Sequence, residues 1–340
     1  MDHLYSHLPG LLLPWYEQHK RDLPWRRDRE PYHVWLSEIM LQQTRVEAVK
    51  GYYARFLEAL PSIEALAQAP AEQLNKLWEG LGYYSRVRNL QKAANQIMQL
   101  HNGRFPSDHA AVRGLAGIGD YTAGAVCSIC FGQPTPAVDG NVLRVCSRLT
   151  ADSAPIDKPQ TKKDLTARLA EVYPEGRCGD FTQALMELGA TVCVPNGAPH
   201  CESCPLSAIC LAHKEGIETE LPIKTPKKPR RVEEMTVFLL HQDGTYALNK
   251  RPDTGLLAGL WEFPHVPGHR DLPEVLAQLE QWGCLPEDVE KSVERTHIFT
   301  HVQWEMRGWF IRCRTLPPGF TQGRPNHYAL PTAFRLFLED

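Results

Sequence analysis

No stretch of this 340-residue chain approaches the roughly 18 consecutive apolar residues of a membrane-spanning helix, so no membrane partner is expected. The first residues, Met1-Asp2-His3-Leu4, show no basic segment leading into a long apolar run, so a secretory leader is not expected either. A cytoplasmic chain follows. Internal repeats and low-complexity tracts are missing, which sets aside solenoids and biased scaffolds. A basic excess is missing too. Lys and Arg number 37 against 40 Asp and Glu, the net charge is -3 and the pI is about 6.5. A uniformly basic nucleic-acid binder is thereby excluded, and any phosphate affinity must come from local patches or backbone donors.

What is present is ordinary for a globular protein of two domains: 43% hydrophobic and 23% charged residues. Residues 1 to about 214 read as nearly all helical. Apolar residues recur at helical spacing from Val34 to Leu60, and again over Gln73–Trp78, Val87–Leu100, Tyr121–Phe131, Val142–Leu149 and Thr161–Val172. The stretch from Ile223 to Val232 carries five basic residues, no acid and stiffening prolines, and reads as a linker. It is either a solvated connector or one that also touches phosphate. Beyond it the pattern changes. Met235–His241 and Thr245–Lys250 are β-like runs joined by Asp243-Gly244, a hairpin signal. Val302–Arg314 is a second β-like region, with a helix over Pro273–Trp282 between them, so this part is α+β.

Ten cysteines without an export signal argue against a disulfide framework. Four of them, Cys193, Cys201, Cys204 and Cys210, crowd into one short segment with gaps of seven, two and five residues. Four thiolates can close around one tetrahedral ion or one cubane cluster. Zinc ribbons usually show two separate Cys-x-x-Cys knuckles and this segment has one, so the spacing suits a [4Fe–4S] cluster better than zinc. The other six cysteines read as core residues.

The segment Leu115-Ala-Gly117-Ile-Gly119-Asp-Tyr121 sits between two helical patterns. Two glycines allow a tight turn whose outward N–H groups, at a helix N-terminus, can hold a phosphate without a basic side chain. By itself it reads as an ordinary interhelical turn. Further on comes Val138-Asp139-Gly140-Asn141-Val142, where Asp139 is placed to N-cap the next helix.

Taken in order, helix-hairpin-helix, Val-Asp-Gly-Asn and the four-cysteine loop resemble the endonuclease III superfamily of DNA glycosylases. Within it, Trp25-Arg26, the run Ser37-Glu38-Ile-Met-Leu-Gln-Gln43-Thr44-Arg-Val and the run Gly80-Leu-Gly-Tyr83-Tyr-Ser-Arg86 resemble the adenine DNA glycosylase (MutY) family. The resemblance covers essentially the whole chain. It implies a mainly α N-terminal domain, a helical glycosylase fold with a helix-hairpin-helix and an iron–sulfur loop, over residues 1–214. Within that, a six-helix core spans about 25–132, and an iron–sulfur subdomain joins the N-terminal helix to about 133–214. A basic linker at 215–231 and a C-terminal α+β Nudix-like domain at 232–340 complete it.

The resemblance implies hydrolysis of an N-glycosidic bond by base flipping. Adenine leaves only if protonated, and its departure leaves a cation on the sugar, so the reaction asks for one carboxylic acid and one carboxylate. Glu38 matches the general acid and Asp139 the residue facing the sugar cation, with Tyr121 and Asn141 orienting it. By periodicity alone Glu38 would read as an exposed helical acid. Glycosylases that also cut the strand carry lysine where this chain has Tyr121, and tyrosine cannot form a Schiff base, so a monofunctional enzyme without strong lyase activity is implied. Arg26 and Trp25 match the adenine pocket. Gln43, Thr44, Tyr83, Arg86, Gly117 and Gly119 match wedge and DNA contacts. Cys193, Cys201, Cys204 and Cys210 match the ligands of one [4Fe–4S] cluster, although the first gap holds seven residues where the family usually has six.

The runs Tyr246–Arg251 and Gly255–Pro264 resemble a Nudix fold without its hydrolytic Arg-Glu-x-x-Glu-Glu core, since the candidate helix carries only Glu274 and Glu280. The implied use is recognition of 8-oxoguanine opposite the target adenine, through Phe299, Thr300 and His301 in place of the family's Phe-Ser-His. The implied partners are double-stranded DNA holding adenine opposite 8-oxoguanine or guanine and a repair protein at the linker. The chain would be monomeric and nucleoid-associated. Two rivals remain at this level: an endonuclease III-like enzyme for damaged pyrimidines, disfavoured by Tyr121 and the second domain, and a non-enzymatic lesion sensor, which would need neither Glu38 nor Asp139.

Overall fold

The computed structural model describes residues 2–226 and 229–339; Lys227 and Lys228, in the basic stretch, lie outside the described residues. By internal contacts the chain forms two compact units, Met1–Gln68 with Asn89–Pro226, and Ala69–Arg88 with Lys227–Asp340.

The first unit is helical. Its framework is α1 (Leu8–His19), α2 (Pro31–Leu41), α3 (Asp120–Phe131), α4 (Gly140–Thr150) and α5 (Cys178–Thr191). Leu8, Leu12, Trp15 and Tyr16 fall on one face of α1 at helical spacing and are buried against Val142, Val145 and Leu149 of α4 and Phe181, Leu185 and Leu188 of α5. The N-terminal helix is therefore built into the same core as the segment that follows residue 133. No helix of the described residues is long and apolar enough to cross a membrane.

The periodic stretch from Val34 to Leu60 is two helices. The chain breaks after Leu41 and resumes at Val46, with Gln43 in a left-handed conformation at φ 60. A right-handed helix cannot pass through such a residue. Close backbone approach sets the packing of α3. A Cβ on Gly124 would lie 2.1 Å from the Pro136 carbonyl oxygen, and one on Gly179 of α5 would lie 2.8 Å from Ile129 Cα.

Residues 221–225 of the basic stretch are bonded to the first unit. Arg148 Nε donates to the Leu221 carbonyl at 2.9 Å, Ile156 N donates to the Ile223 carbonyl at 3.0 Å, and Thr225 N donates to Asp157 Oδ1 at 2.9 Å. Arg231 already begins the first strand.

In the second unit, strands β1 (Arg231–Gln242), β2 (Thr245–Lys250), β3 (Trp261–Glu262), β5 (Leu285–Ile298) and β6 (Val302–Thr315) form a sheet in the order β3-β2-β1-β6-β5. Short strands β4 (His265–Pro267) and β7 (Thr321–Gly323) pair with β1 and β2. The β1–β2 turn is Asp243-Gly244, both at positive φ, as a two-residue hairpin requires. β1 runs parallel to β6 and is buried on both faces. Val237 and Leu239 enter one core with Trp304, Phe334 and Phe337, while Phe238 and Leu240 enter another with Val275 and Leu279 of α6 (Leu272–Gln281). Edge strand β5 is mostly solvent-facing and charged, so it lacks the alternation that marks a strand in sequence.

Gly124→Ala tests the close approach. The added methyl meets backbone, which cannot rotate away, so a loss of about 1–3 kcal/mol is expected by urea unfolding. An unchanged midpoint would show that α3 has room to shift.

Candidate active site

The last two turns of α2 are buried on nearly every side, and Glu38 lies among them at 6% exposure. A carboxyl group in such surroundings needs a polar partner. Tyr121, in the first turn of α3, supplies one: its hydroxyl donates to Glu38 Oε2 at 2.5 Å, so it holds this acid and not Asp139, as the family motif had implied. Burial pushes Glu38 up to about 7; the tyrosine bond opposes the rise and the nearby Asp139 charge adds to it. Burial and the charges of Glu38 and Asp139 hold the Tyr121 hydroxyl well above its ordinary value, so it remains a donor.

Asp139 caps α4, Oδ1 accepting from Val142 N at 2.8 Å, while Asn141 Nδ2 donates to Oδ2 at 2.6 Å. Burial raises this carboxyl as well, and the bonds from Val142 and Asn141 act against the rise by favouring the charged form. Asn141 is itself held. Arg144 donates to Asn141 Oδ1 at 2.9 Å, to the Gly189 carbonyl at 2.7 Å and to the Cys193 carbonyl at 2.7 Å. Gly189 is needed here, because a Cβ would come within 2.5 Å of Asn141 Cβ.

Glu38, Tyr121, Asp139 and Asn141 line one cleft of about 590 Å³. Trp25, Arg26, Gln43 and Thr44 line it too, and Lys162 reaches it from an exposed position. Trp25 is buried and meets Tyr53 edge-on at 5.5 Å. The sequence reading missed one acid of this cleft. Glu187 of α5 is fully buried, and it accepts from Arg21 Nε and from Arg26 Nη2 at 2.7 Å each. Burial alone would raise its pKa, but the two guanidiniums outweigh that and bring it to about 2. An acid inside the apolar run Ala184–Gly189 was the available signal, since such an acid needs a cation partner.

Gly117 forms the turn before α3 at φ 74, where a Cβ would strike Asn89, and Gly119 precedes the first residue of the helix. Tyr83 and Arg86 belong to the second unit and are not among the residues that line the cleft. Tyr83 is 47% exposed at φ 47 and follows Gly80 and Gly82, which are also at positive φ. Arg86 is buried, and its guanidinium donates to the Leu81 and Gly82 carbonyls at 3.0 and 3.1 Å, bracing that turn.

Phe299, Thr300 and His301 form the turn between β5 and β6. Phe299 packs edge-on to Trp304 at 4.8 Å, Arg231 N donates to the His301 carbonyl at 3.2 Å, and the Thr300 hydroxyl lies 2.9 Å from the Tyr83 hydroxyl. In α6, Glu274 is engaged in a capping box with Asp271.

Cys193, Cys201, Cys204 and Cys210 line one small cavity in the first unit together with Arg148. Arg148 is buried and lies 3.3 Å from Cys193 Sγ. Four soft donors around a common space with a fixed cation at its wall fit an anionic iron–sulfur core. Cys201 also stands with His213 and Glu218, their ligand atoms within 4.8 Å of one another.

Residues 36–174 match the model of the HhH-GPD superfamily base excision DNA repair proteins, and residues 236–340 match the NUDIX domain. The adenine DNA glycosylase of Homo sapiens is 36% identical over 96% of this chain and 72% of its own length. That of Buchnera aphidicola subsp. Acyrthosiphon pisum (strain APS) is 29% identical over 97% of this chain and 96% of its own. Among solved structures, a thermostable thymine-DNA glycosylase superposes with a TM-score of 0.58 at 29% identity, covering 63% of this chain and 98% of that one. A helical glycosylase fold thus precedes a Nudix-like sheet domain, and the chain belongs to the adenine DNA glycosylase family.

Proposed function

We propose that this chain excises adenine paired with 8-oxoguanine or guanine in duplex DNA, by hydrolysis and without cutting the strand. The observation that carries the reading is the pair of buried carboxyl groups in one cleft, differently solvated. Glu38 sits in apolar surroundings with its pKa at about 7, so much of it is protonated at neutral pH and can deliver a proton to the flipped base. Asp139 accepts from Val142 and Asn141, which favour its charged form beside the sugar cation. Tyr121 fixes the acid, and Arg144 with Asn141 fixes the carboxylate. Trp25 and Arg26 form the adenine wall of the cleft. Gln43, Thr44 and Tyr83 contact the opened duplex, with Arg86 supporting the Tyr83 turn and Gly117 and Gly119 presenting backbone donors to phosphate.

Cys193, Cys201, Cys204 and Cys210 would hold one [4Fe–4S] cluster, which when bound cross-links the loop after α5 and contributes to folding. In the second unit, Phe299, Thr300 and His301 read the base opposite the adenine, Thr300 through its hydroxyl.

Four outcomes are expected. Glu38→Gln loses at least about 100-fold in single-turnover adenine release, and the wild-type rate falls as pH rises through about 7, where the acid loses its proton. Near-normal release by the variant removes the acid role. Strand breaks should appear only after hot alkali; breaks without it would implicate Lys162 as a Schiff-base former. Purified protein should carry about four irons and four acid-labile sulfides, and Cys204→Ser should lower both; zinc in their place would overturn the cluster. Thr300→Val should narrow the preference for adenine opposite 8-oxoguanine over guanine by about tenfold, and an unchanged ratio removes the reading role.

A further inference from the structure

A second chamber, of about 310 Å³ and open to solvent, adjoins the cleft and shares Arg21, Arg26, Ile129 and Gln183 with it as walls. Its remaining lining includes Tyr16, Lys20, Arg27, Asp28, Arg29 and Asp180. The volume falls within the roughly 300–1,000 Å³ of small-molecule pockets. The partition between the two spaces is the Arg21–Glu187–Arg26 bridge. Its two halves are unequal. Arg21 is tied to Glu187 by its backbone N and by Nε and Nη2. Arg26 is tied by Nη2 alone, with a long contact at 3.4 Å to the Arg21 carbonyl, and its guanidinium sits 5.8 Å from the Tyr16 ring on the chamber side.

We propose that this chamber is the exit site of the freed purine base, and that the Arg26 side of the bridge is the leaf that opens. The inference rests on the adenine-excision reading above. A base that enters from a duplex is cut while that duplex still covers the mouth by which it came. Once the bond to the sugar breaks, the base is a neutral, planar heterocycle with donors and acceptors around its rim. It either waits for the DNA to leave or crosses to a second space. Lined with guanidinium and carboxylate groups that can pair with both kinds of edge, the chamber suits such a molecule. Removing the base through it also prevents the reverse reaction while the abasic product stays bound.

The test separates bond cleavage from base release. A biotinylated duplex with radiolabelled adenine opposite 8-oxoguanine is immobilised and saturated with enzyme. Cleavage is followed by alkali quench, free adenine by rapid filtration, and DNA dissociation by a fluorescent label on the duplex. In the wild type, free adenine should appear in step with cleavage and well before the DNA dissociates. Lys20→Trp and Arg29→Trp, which fill the chamber from its outer wall, should cleave at the wild-type rate but retain adenine about tenfold longer. Adenine that leaves the wild-type enzyme only with the DNA overturns the exit. So does wild-type release by both variants. Absence of cleavage in the wild type would overturn the excision reading, and the exit with it.

Discussion

Keeping one carboxyl group dry is the constraint around which the helical unit is organised. A rise in the Glu38 pKa from 4.5 to about 7 disfavours its charged form by roughly 3 kcal/mol. That penalty exists only while α2 is covered, so the helix must be apolar on nearly all sides, and α3 must close over it with Tyr121 in its first turn. The bare backbone at Gly124 lets α3 sit directly against the segment that leads to Asp139. The packing of helices and the chemistry of the acid are therefore one arrangement.

The same cleft contains the opposite solution for a buried acid. Glu187 is as deeply enclosed as Glu38, yet two guanidiniums hold it ionised. Environment alone sets the two glutamates some five pH units apart. One can exchange a proton near neutrality and the other cannot. Glu187 serves instead as an anchor that aligns Arg21 and Arg26 along the wall. Asp139 combines the two influences, since burial raises its carboxyl while donors from Val142 and Asn141 oppose the rise, and its support runs through Asn141 and Arg144 to the backbone of Cys193. The cysteine loop and the Asp139 carboxylate thus share one mechanical support.

In the second unit a strand buried on both faces carries the load. β1 feeds one core through Val237 and Leu239 and the other through Phe238 and Leu240, and Phe299 of the β5–β6 turn packs against the first of these, with Thr300 and His301 exposed beside it. The segment 69–88 joins this unit, so Tyr83 and Thr300 meet although 217 residues separate them.

Legibility followed the range of the governing interaction. The Asp243-Gly244 hairpin, the capping position of Asp139 and the four-cysteine loop were readable because each depends on a few adjacent residues: positive φ, a side chain reaching its own helix, ligands in one short segment. The helix break at Gln43 was not readable, since an apolar period can run on across a residue that tertiary contacts force into the left-handed region. Edge strand β5 was hidden because water takes the place of a second core. Periodicity read Glu38 as exposed, and only the family's motif reversed that. By itself the sequence determined the two-part architecture, the local turns and caps, and which residue types were available for acid, carboxylate and thiolate chemistry. Tertiary structure alone decided which acid has its pKa raised and which is ion-paired, because solvation and ion pairing depend on partners as distant as Arg21 and Glu187, 166 residues apart.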